Sequence, residues 1–179
     1  MRNLEKNKTC CFVGHRKIIH SEDLRARLKA FIEDLVVKEG VKRFLFGSRS
    51  QFDDLSLEVV AEIKEKYPEI KRVYVRSHYP NVSKDYQEYL SELYDDTYMP
   101  ERVEKAGKAS YVERNQEMID GSDIVVFYYD EEYLPPKRAK AGGLSEQPKS
   151  GTRVAYEYAM QKSRTAGKTV INLFKGISK

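Results

Sequence analysis

Cysteine is scarce in this chain of 179 residues. Its two cysteines, Cys10 and Cys11, are neighbours in a strand-like apolar run, so their side chains should point to opposite faces rather than bond to each other. Without further cysteines the sequence excludes a disulfide framework and a thiolate zinc site. We expect no metal site, and we expect His15 to have a hydrogen-bonding role rather than a metal-binding one.

Long apolar runs and a strong charge bias are also absent. No segment approaches the roughly 20 apolar residues of a transmembrane helix, and the opening segment MRNLEKNKTC lacks the apolar core of a signal peptide. The net charge of +4 arises from 32 basic and 28 acidic residues that are interspersed, which does not indicate nucleic acid. We therefore expect a cytoplasmic protein without a membrane partner, for which nucleic acid is a disfavoured partner.

What the sequence does contain is an alternation of short apolar runs with helical patterns. These patterns predict strands at 10–13, 44–46, 73–75, 124–128 and 170–174, and helices at about 21–40, 52–66, 86–93, 110–119 and 151–164. Such alternation is typical of a mainly parallel sheet with helices on both faces. We predict one α/β domain over residues 1–179, Rossmann-like, with about five strands. Residues 130–150, which contain three prolines, predict an exposed loop of undetermined role.

Glycine and polar residues follow several predicted strands, at the edge where open parallel sheets bind ligands. Gly14-His15-Arg16 follows the first strand, Gly47 ends the second, and Ser150-Gly151-Thr152 opens the last helix. Helix N-termini offer N–H groups, glycine admits an anion closely, and arginine adds bidentate contacts, so these residues together favour an anion site. Gly14 can instead be a simple turn, and Ser-Gly-Thr an ordinary helix cap. Walker A and GxGxxG motifs are absent, which disfavours standard NTPases and dinucleotide-binding enzymes.

Two further positions admit both a structural and a functional interpretation. Arg114-Asn115 lies in the helix before the fourth strand, where most such pairs belong to a solvated face. Glu157 lies five residues after Thr152 in the last helix. It is either a surface charge or, if buried near the sheet edge, a general base or a ribose ligand.

Four segments together resemble a known family: CCFVGHRK, FLFGSRSQFDDLSLEVV, ERNQEMIDGSDIVVFYYD and SGTRVAYEYAMQKSRTAGKTVINLF. They are similar to the YpsA-like family of the SLOG superfamily, whose name joins the Smf/DprA and Lonely-guy proteins. The resemblance runs from Thr9 to about Phe174 and is weakest between Ser77 and Ser110. It implies a Rossmann-like domain that binds a nucleotide or a nucleotide-derived ligand such as ADP-ribose or NAD, and no other cofactor. Self-association is common in the superfamily, so a homo-oligomer is expected.

The resemblance also implies which residues contact the ligand. The family's first-strand motif, second-strand turn, Arg-Asn pair and phosphate loop fall here on Gly14, His15, Arg16, Gly47, Ser48, Asp53, Arg114, Asn115, Gly151 and Thr152. One departure concerns the second turn, which is usually richer in glycine than the Ser48-Arg49-Ser50 found here. Another concerns catalysis, because Lonely-guy enzymes place glutamate three residues after the threonine. That position is Ala155 here, and Glu157 lies about 200° further around the helix.

Three functions stay open from the sequence. The first is a sensor or regulatory protein that binds a nucleotide-like molecule at the ends of the strands. The second is an enzyme that cleaves the N-glycosidic bond of a nucleotide, with Arg114 and Glu157 as candidate catalytic residues. The third is single-stranded DNA binding through the basic residues of the 130–150 loop and its end, Lys137, Arg138, Lys140 and Lys149. Separately, Tyr86, Tyr89, Leu90 and Leu93 fall at helical spacing and predict core packing or a dimer face.

Overall fold

Side chains alternate along the strands between two separate cores, one on each face of the sheet. The computed structural model describes residues 7–47, 49–134 and 149–174. Cys10 and Phe12 belong to one core, while Cys11 and Val13 belong to the other. This alternation confirms that the two cysteines point to opposite faces, and both thiols are free and buried. Burial raises the pKa of the Cys11 thiol to about 12.

Six parallel strands form the sheet in the order β4-β3-β2-β1-β5-β6. The strands are β1 (Lys8–Gly14), β2 (Val41–Phe46), β3 (Lys71–Val75), β4 (Asp96–Tyr98), β5 (Ile124–Tyr128) and β6 (Thr169–Asn172). The chain adds strands outward from β1 in one direction up to β4, and then crosses back to place β5 on the other side of β1. The switch point of the sheet therefore lies between β1 and β5, where ligands of open α/β sheets bind.

Helices cover both faces of the sheet. They are α1 (Glu22–Val37), α2 (Gln51–Lys66), α3 (Lys84–Leu93), α4 (Glu101–Glu104), α5 (Ser110–Asp120) and α6 (Gly151–Ala166), with a 3₁₀ turn at Gly107–Ala109. Apolar residues of α1 and α2 pack in the core that contains Phe12, and those of α5 and α6 pack in the core that contains Cys11. The predicted Rossmann-like α/β architecture is confirmed, as are its five strands.

The sixth strand, β4, was not expected from the sequence. Its three residues, Asp96 to Tyr98, are polar or aromatic and none is buried, because β4 lies at the edge of the sheet. A strand without a buried apolar run carries no periodic signal. Across the described ranges, no helix is long and apolar enough to cross a membrane.

Serine caps start four of the helices at the edge formed by the carboxyl ends of the strands. The hydroxyls of Ser21, Ser50, Ser83 and Ser150 each accept a hydrogen bond from the backbone N–H three residues later, at the start of α1, α2, α3 and α6. Each bond satisfies one donor that a helix leaves without an internal partner. The same edge therefore collects the N-termini of these helices and the residues that follow the strands.

Candidate ligand-binding site

His15 lies at the switch point, directly after β1. Its backbone N–H donates to the Tyr128 carbonyl at the end of β5 (3.3 Å), and its Nε2 accepts the Asp130 N–H (2.9 Å). The ring is buried and stacks on Tyr133 with centroids 4.0 Å apart. Burial lowers the pKa of His15, and a ring that accepts at Nε2 is neutral and carries its proton on Nδ1. Within the described residues this buried Nδ1 has no hydrogen-bond partner.

Glycine is required at position 14 by packing against α2 rather than by an open ligand site. A Cβ at this position would lie 2.4 Å from Cδ1 and 2.5 Å from Cβ of Phe52, in the first turn of α2. The neighbouring Arg16 is exposed, and its backbone carbonyl accepts the N–H of Gln51 (3.0 Å). The loop after β1 is thus fastened to the start of α2, and the Arg16 side chain extends towards solvent.

Gly47 at the end of β2 is closely packed as well. A Cβ there would lie 2.7 Å from the Met118 sulfur and 2.8 Å from Arg114 Nε. The Gly47 N–H donates to Asp53 Oδ2 (3.3 Å), and the Asp53 N–H donates to the Ser50 hydroxyl (3.1 Å). Asp53 is buried, so its carboxylate brings a negative charge to the interior of this turn. The predicted site residue Ser48 lies outside the described residues.

Arg114 is buried instead of lying on a solvated face. Its Nη1 donates to the Gly47 carbonyl (2.8 Å) and to the Ser77 hydroxyl (3.2 Å), and its Nη2 donates to Asn115 Oδ1 (3.2 Å). Burial lowers the pKa of Arg114, and the Asp53 carboxylate opposes that shift. The guanidinium therefore joins α5 to the ends of β2 and β3. Its donors are engaged by the protein, which makes Arg114 a positioning residue in this structure.

The first turn of α6 differs from these closely packed positions. Gly151 is exposed, and a Cβ placed on it would meet no atom of the described residues within 4 Å. Thr152 is buried beside it, and the Ser150 hydroxyl accepts the Arg153 N–H (3.1 Å). No acidic residue lies in this first turn. In the part of the chain that the structure describes, the space above Gly151 is thus open to a ligand.

Glu157 lies on the exposed side of α6. Its carboxylate pairs with Lys149 (3.0 Å) and with Arg153 (3.1 Å), and the hydrogen bond from Lys149, followed by that from Arg153, lowers its pKa. A general base at neutral pH needs a raised pKa and a position near the reacting atoms, so this placement does not favour the catalytic interpretation. Lys149 is engaged with Glu157, and the loop residues 137, 138 and 140 lie outside the described residues.

The chain also matches the model of a protein family. A family model described as the YspA SLOG family, under the name YpsA, matches residues 15–160. The chain belongs to this SLOG family. The matched range includes His15, Arg114-Asn115 and Ser150-Gly151-Thr152, and it stops before β6. The resemblance expected from the sequence is confirmed, and no curated protein matches the chain.

Sequence reasoning missed one residue that shapes the site of this SLOG protein. Asn172, in β6, donates from Nδ2 to the Tyr129 carbonyl (2.9 Å) and accepts the Tyr129 N–H at Oδ1 (3.0 Å). The side chain makes the two hydrogen bonds that the backbone of a neighbouring strand would make. It thereby fixes the chain beyond the end of β5. An asparagine inside a predicted strand gives no signal of such a role, because its partner lies 43 residues away.

The SLOG domain also has a groove at the opposite edge of its sheet. It measures about 520 Å³ and lies where the strands β1, β5 and β6 begin, next to the ends of α1 and α6. Charged residues such as Lys38, Asp123 and Lys168 share its wall with Phe31 and Ile171. None of the predicted site residues lines this groove. Within the described ranges, no three His, Cys, Asp or Glu side chains come together as metal ligands.

Proposed function

We propose that the protein binds the phosphate of a nucleotide or nucleotide-derived ligand at the first turn of α6, and that it acts as a sensor or regulator. The observation that carries this proposal is the open position at Gly151 in a first turn without an acidic side chain. A Cβ placed on Gly14 or Gly47, by contrast, would lie less than 3 Å from protein atoms. Membership of a SLOG family supports a nucleotide-related ligand.

The charges around the first turn of α6 favour an anion. The helices α1, α2, α3 and α5 each carry an acidic residue in the first turn, where it complements the positive end of the helix. In α6 the corresponding turn contains Arg153, and Lys149 precedes it. Both cations also pair with Glu157, so a bound phosphate would share them with that carboxylate. A phosphate would therefore supply the negative charge that this helix end lacks.

The buried imidazole of His15 gives a second, independent reason. Its Nδ1–H has no partner in the described part of the chain, and a buried donor without a partner costs about 1–3 kcal/mol. The ring lies 5.8 Å from the Tyr129 ring, which in turn lies 4.6 Å from Tyr156 in the second turn of α6. A ligand oxygen that accepts this N–H would remove that cost. Asn115, buried next to Arg114, adds a polar group from α5.

Calorimetric titration tests the proposal, with AMP, ADP, ADP-ribose and NAD as the ligands. Gly151→Asp places a carboxylate where the phosphate would bind, and we expect affinity to fall at least tenfold while the helix stays folded. Gln161→Glu is the matched control, because it adds the same charge to α6 about 15 Å further along its axis. The control should bind as the wild type does. Wild-type affinity in Gly151→Asp, or no heat from any ligand, would overturn the proposal.

A further inference from the structure

Five aromatic rings form a continuous surface beyond the end of β3, and the site described above does not use them. We call this surface the tyrosine belt: His78 and Tyr79 from the loop after β3, Tyr86 and Tyr89 from α3, and Tyr111 from α5. Leu90 is the one buried residue of α3, so Tyr86 and Tyr89 do not pack in the core as the helical spacing suggested. The belt therefore needs an explanation other than core packing.

Each ring of the belt contacts the next. Tyr89 stacks on Tyr86 with centroids 6.2 Å apart and planes at 17°, and Tyr86 meets Tyr79 edge-on at 5.7 Å. His78 lies 6.3 Å from Tyr79 and 4.9 Å from Tyr111, and its Nε2 is 3.2 Å from the Tyr111 hydroxyl. These contacts orient the rings relative to one another, so the surface is ordered in advance of any ligand.

Three tyrosines of the belt are exposed, and one of them has a strained backbone. Tyr79, Tyr89 and Tyr111 expose 64%, 43% and 56% of their surface. Tyr79 has a backbone φ of +60°, in the left-handed region that a bulky residue rarely adopts and that costs on the order of 1–3 kcal/mol. The side chain of Arg76 donates to the Tyr79 carbonyl and supports this conformation. Backbone strain of this kind clusters at functional sites.

Arginines connect the belt to the edge of the sheet that holds the candidate site. The Arg114 guanidinium lies 5.4 Å from the centre of the Tyr111 ring while its Nη1 donates to the Gly47 carbonyl. At the other end of the belt, Arg49 donates to the Tyr89 hydroxyl (3.1 Å). Arg49 also has a left-handed backbone, with a φ of +50°. Aromatic faces bordered by arginines are the combination with which proteins stack nucleobases and hold their phosphates.

We propose that the tyrosine belt stacks the nucleobase of the ligand, an inference that rests on the proposed function at α6. The belt lies at the end of β3, whereas α6 packs over β1 and β5, two to three strands away. At about 4.8 Å per strand the two sites are about 10–14 Å apart. In a ligand that occupies both sites, more than one phosphate group separates the base from the distal anion. The chemistry of such a ligand is that of a nucleoside diphosphate sugar or a dinucleotide.

The test compares ADP-ribose with ribose 5-phosphate, which has no base, by calorimetric titration. Base stacking on an aromatic ring contributes about 1–3 kcal/mol, or about fivefold to 150-fold in affinity. We expect Tyr79→Ala and Tyr111→Ala to weaken ADP-ribose by a factor in this range and to leave ribose 5-phosphate unchanged. Tyr111→Phe keeps the ring and should retain the affinity. Tyr67→Ala is the matched control, because Tyr67 lies at the far end of α2.

Different outcomes separate this inference from the proposed function. If Tyr79→Ala and Tyr111→Ala bind ADP-ribose as the wild type does, the belt does not stack the base, while phosphate binding at Gly151 stands. If neither probe binds the wild type, the inference fails, and the proposed function fails with it when AMP, ADP and NAD give no heat either. If light scattering shows a dimer that Tyr79→Ala dissociates, the belt is a self-association surface and the inference is wrong.

A nucleobase can also come from a single-stranded nucleic acid, so the titration includes an eight-nucleotide oligodeoxyadenylate. Tighter binding of the oligonucleotide than of ADP-ribose, with affinity that falls steeply with salt, would identify a strand as the source of the base. The same alanine variants should then weaken the oligonucleotide. Tighter binding of ADP-ribose identifies a small nucleotide. Tighter binding of ADP-ribose supports the proposed ligand class, whereas tighter binding of the oligonucleotide would overturn it.

Discussion

Replacing Gly14 with alanine is expected to destabilise the fold through a single contact with α2. The added Cβ would lie 2.4–2.5 Å from three atoms of the Phe52 side chain. Phe52 is fully buried and contacts the rings of Phe12 and Tyr128, at 6.3 and 5.7 Å between centroids. Carbon atoms prefer separations of about 3.5–4.0 Å, so the two residues cannot keep their positions.

The size of the effect follows from which Phe52 atoms are involved. One of the three is Cβ, which a change of rotamer does not move, so the start of α2 itself has to shift. That start is held by the Ser50 cap and by the hydrogen bond from the Gln51 N–H to the Arg16 carbonyl. Overpacking a core costs about 1–3 kcal/mol, and we expect the upper end of this range. For a chain of this length, about 3 kcal/mol lowers Tm by about 6–12 °C.

Thermal and urea unfolding measure this loss, and Gly151→Ala is the control. It makes the same chemical change at a position where the new Cβ meets no described atom within 4 Å, so its Tm should not fall. A double-mutant cycle with Phe52→Ala tests the contact itself. Because the Phe52 Cβ remains in that variant, the cost of Gly14→Ala should shrink without vanishing. Two results would refute the reasoning: a Gly14→Ala protein with the Tm of the wild type, or a loss of unfolding free energy that is the same in the Phe52→Ala background.

Two further predictions concern buried titratable groups. Burial lowers the pKa of His15 below 6.5, so as the pH falls through that value the unfolded chain takes up the proton first and the free energy of unfolding decreases. His15→Gln should flatten this acid-side decline in Tm between pH 7.5 and 5, and an identical decline in both proteins would contradict the assignment. Burial also raises the pKa of the Cys10 and Cys11 thiols, so the folded protein should resist thiol reagents and react at its unfolding rate. Rapid labelling of the native protein would show that the thiols are accessible.

The sequence predicted the strands and helices that carry buried apolar runs, because burial imposes a pattern on the chain. Val125 and Phe127 face one core while Val126 faces the other, so β5 reads as a continuous apolar run. The helices α1 and α2 show their buried face at helical spacing. Strand β4 shows neither signal, since its residues Asp96 to Tyr98 stay partly exposed at the sheet edge. Its pairing with β3 is a tertiary contact that no local pattern reports.

The edge that holds the candidate site was predictable from sequence, but the roles of its residues were not. Glycines at 14, 47 and 151 look equivalent in the sequence, yet among the described residues two of them make room for side chains and only Gly151 faces open space. Whether a glycine makes room for a side chain or faces open space depends on Phe52 and Arg114. Their positions follow from the packing of α2 and α5 on the sheet. Sequence spacing indicates where the chain turns, whereas the fold decides what fills the space beside each turn.

Arg114 connects the tyrosine belt to the turn after β2. It is a buried cation that donates to uncharged acceptors, the Gly47 carbonyl and the Ser77 hydroxyl among them, and its guanidinium lies against Tyr111 of the belt. A truncation such as Arg114→Ala would leave those acceptors without their donor and would free the Tyr111 ring together with the turn after β2. Loss of ligand binding in that variant would therefore not identify Arg114 as a ligand contact. Only variants at open positions, Gly151 and the exposed tyrosines, separate binding from the integrity of the site.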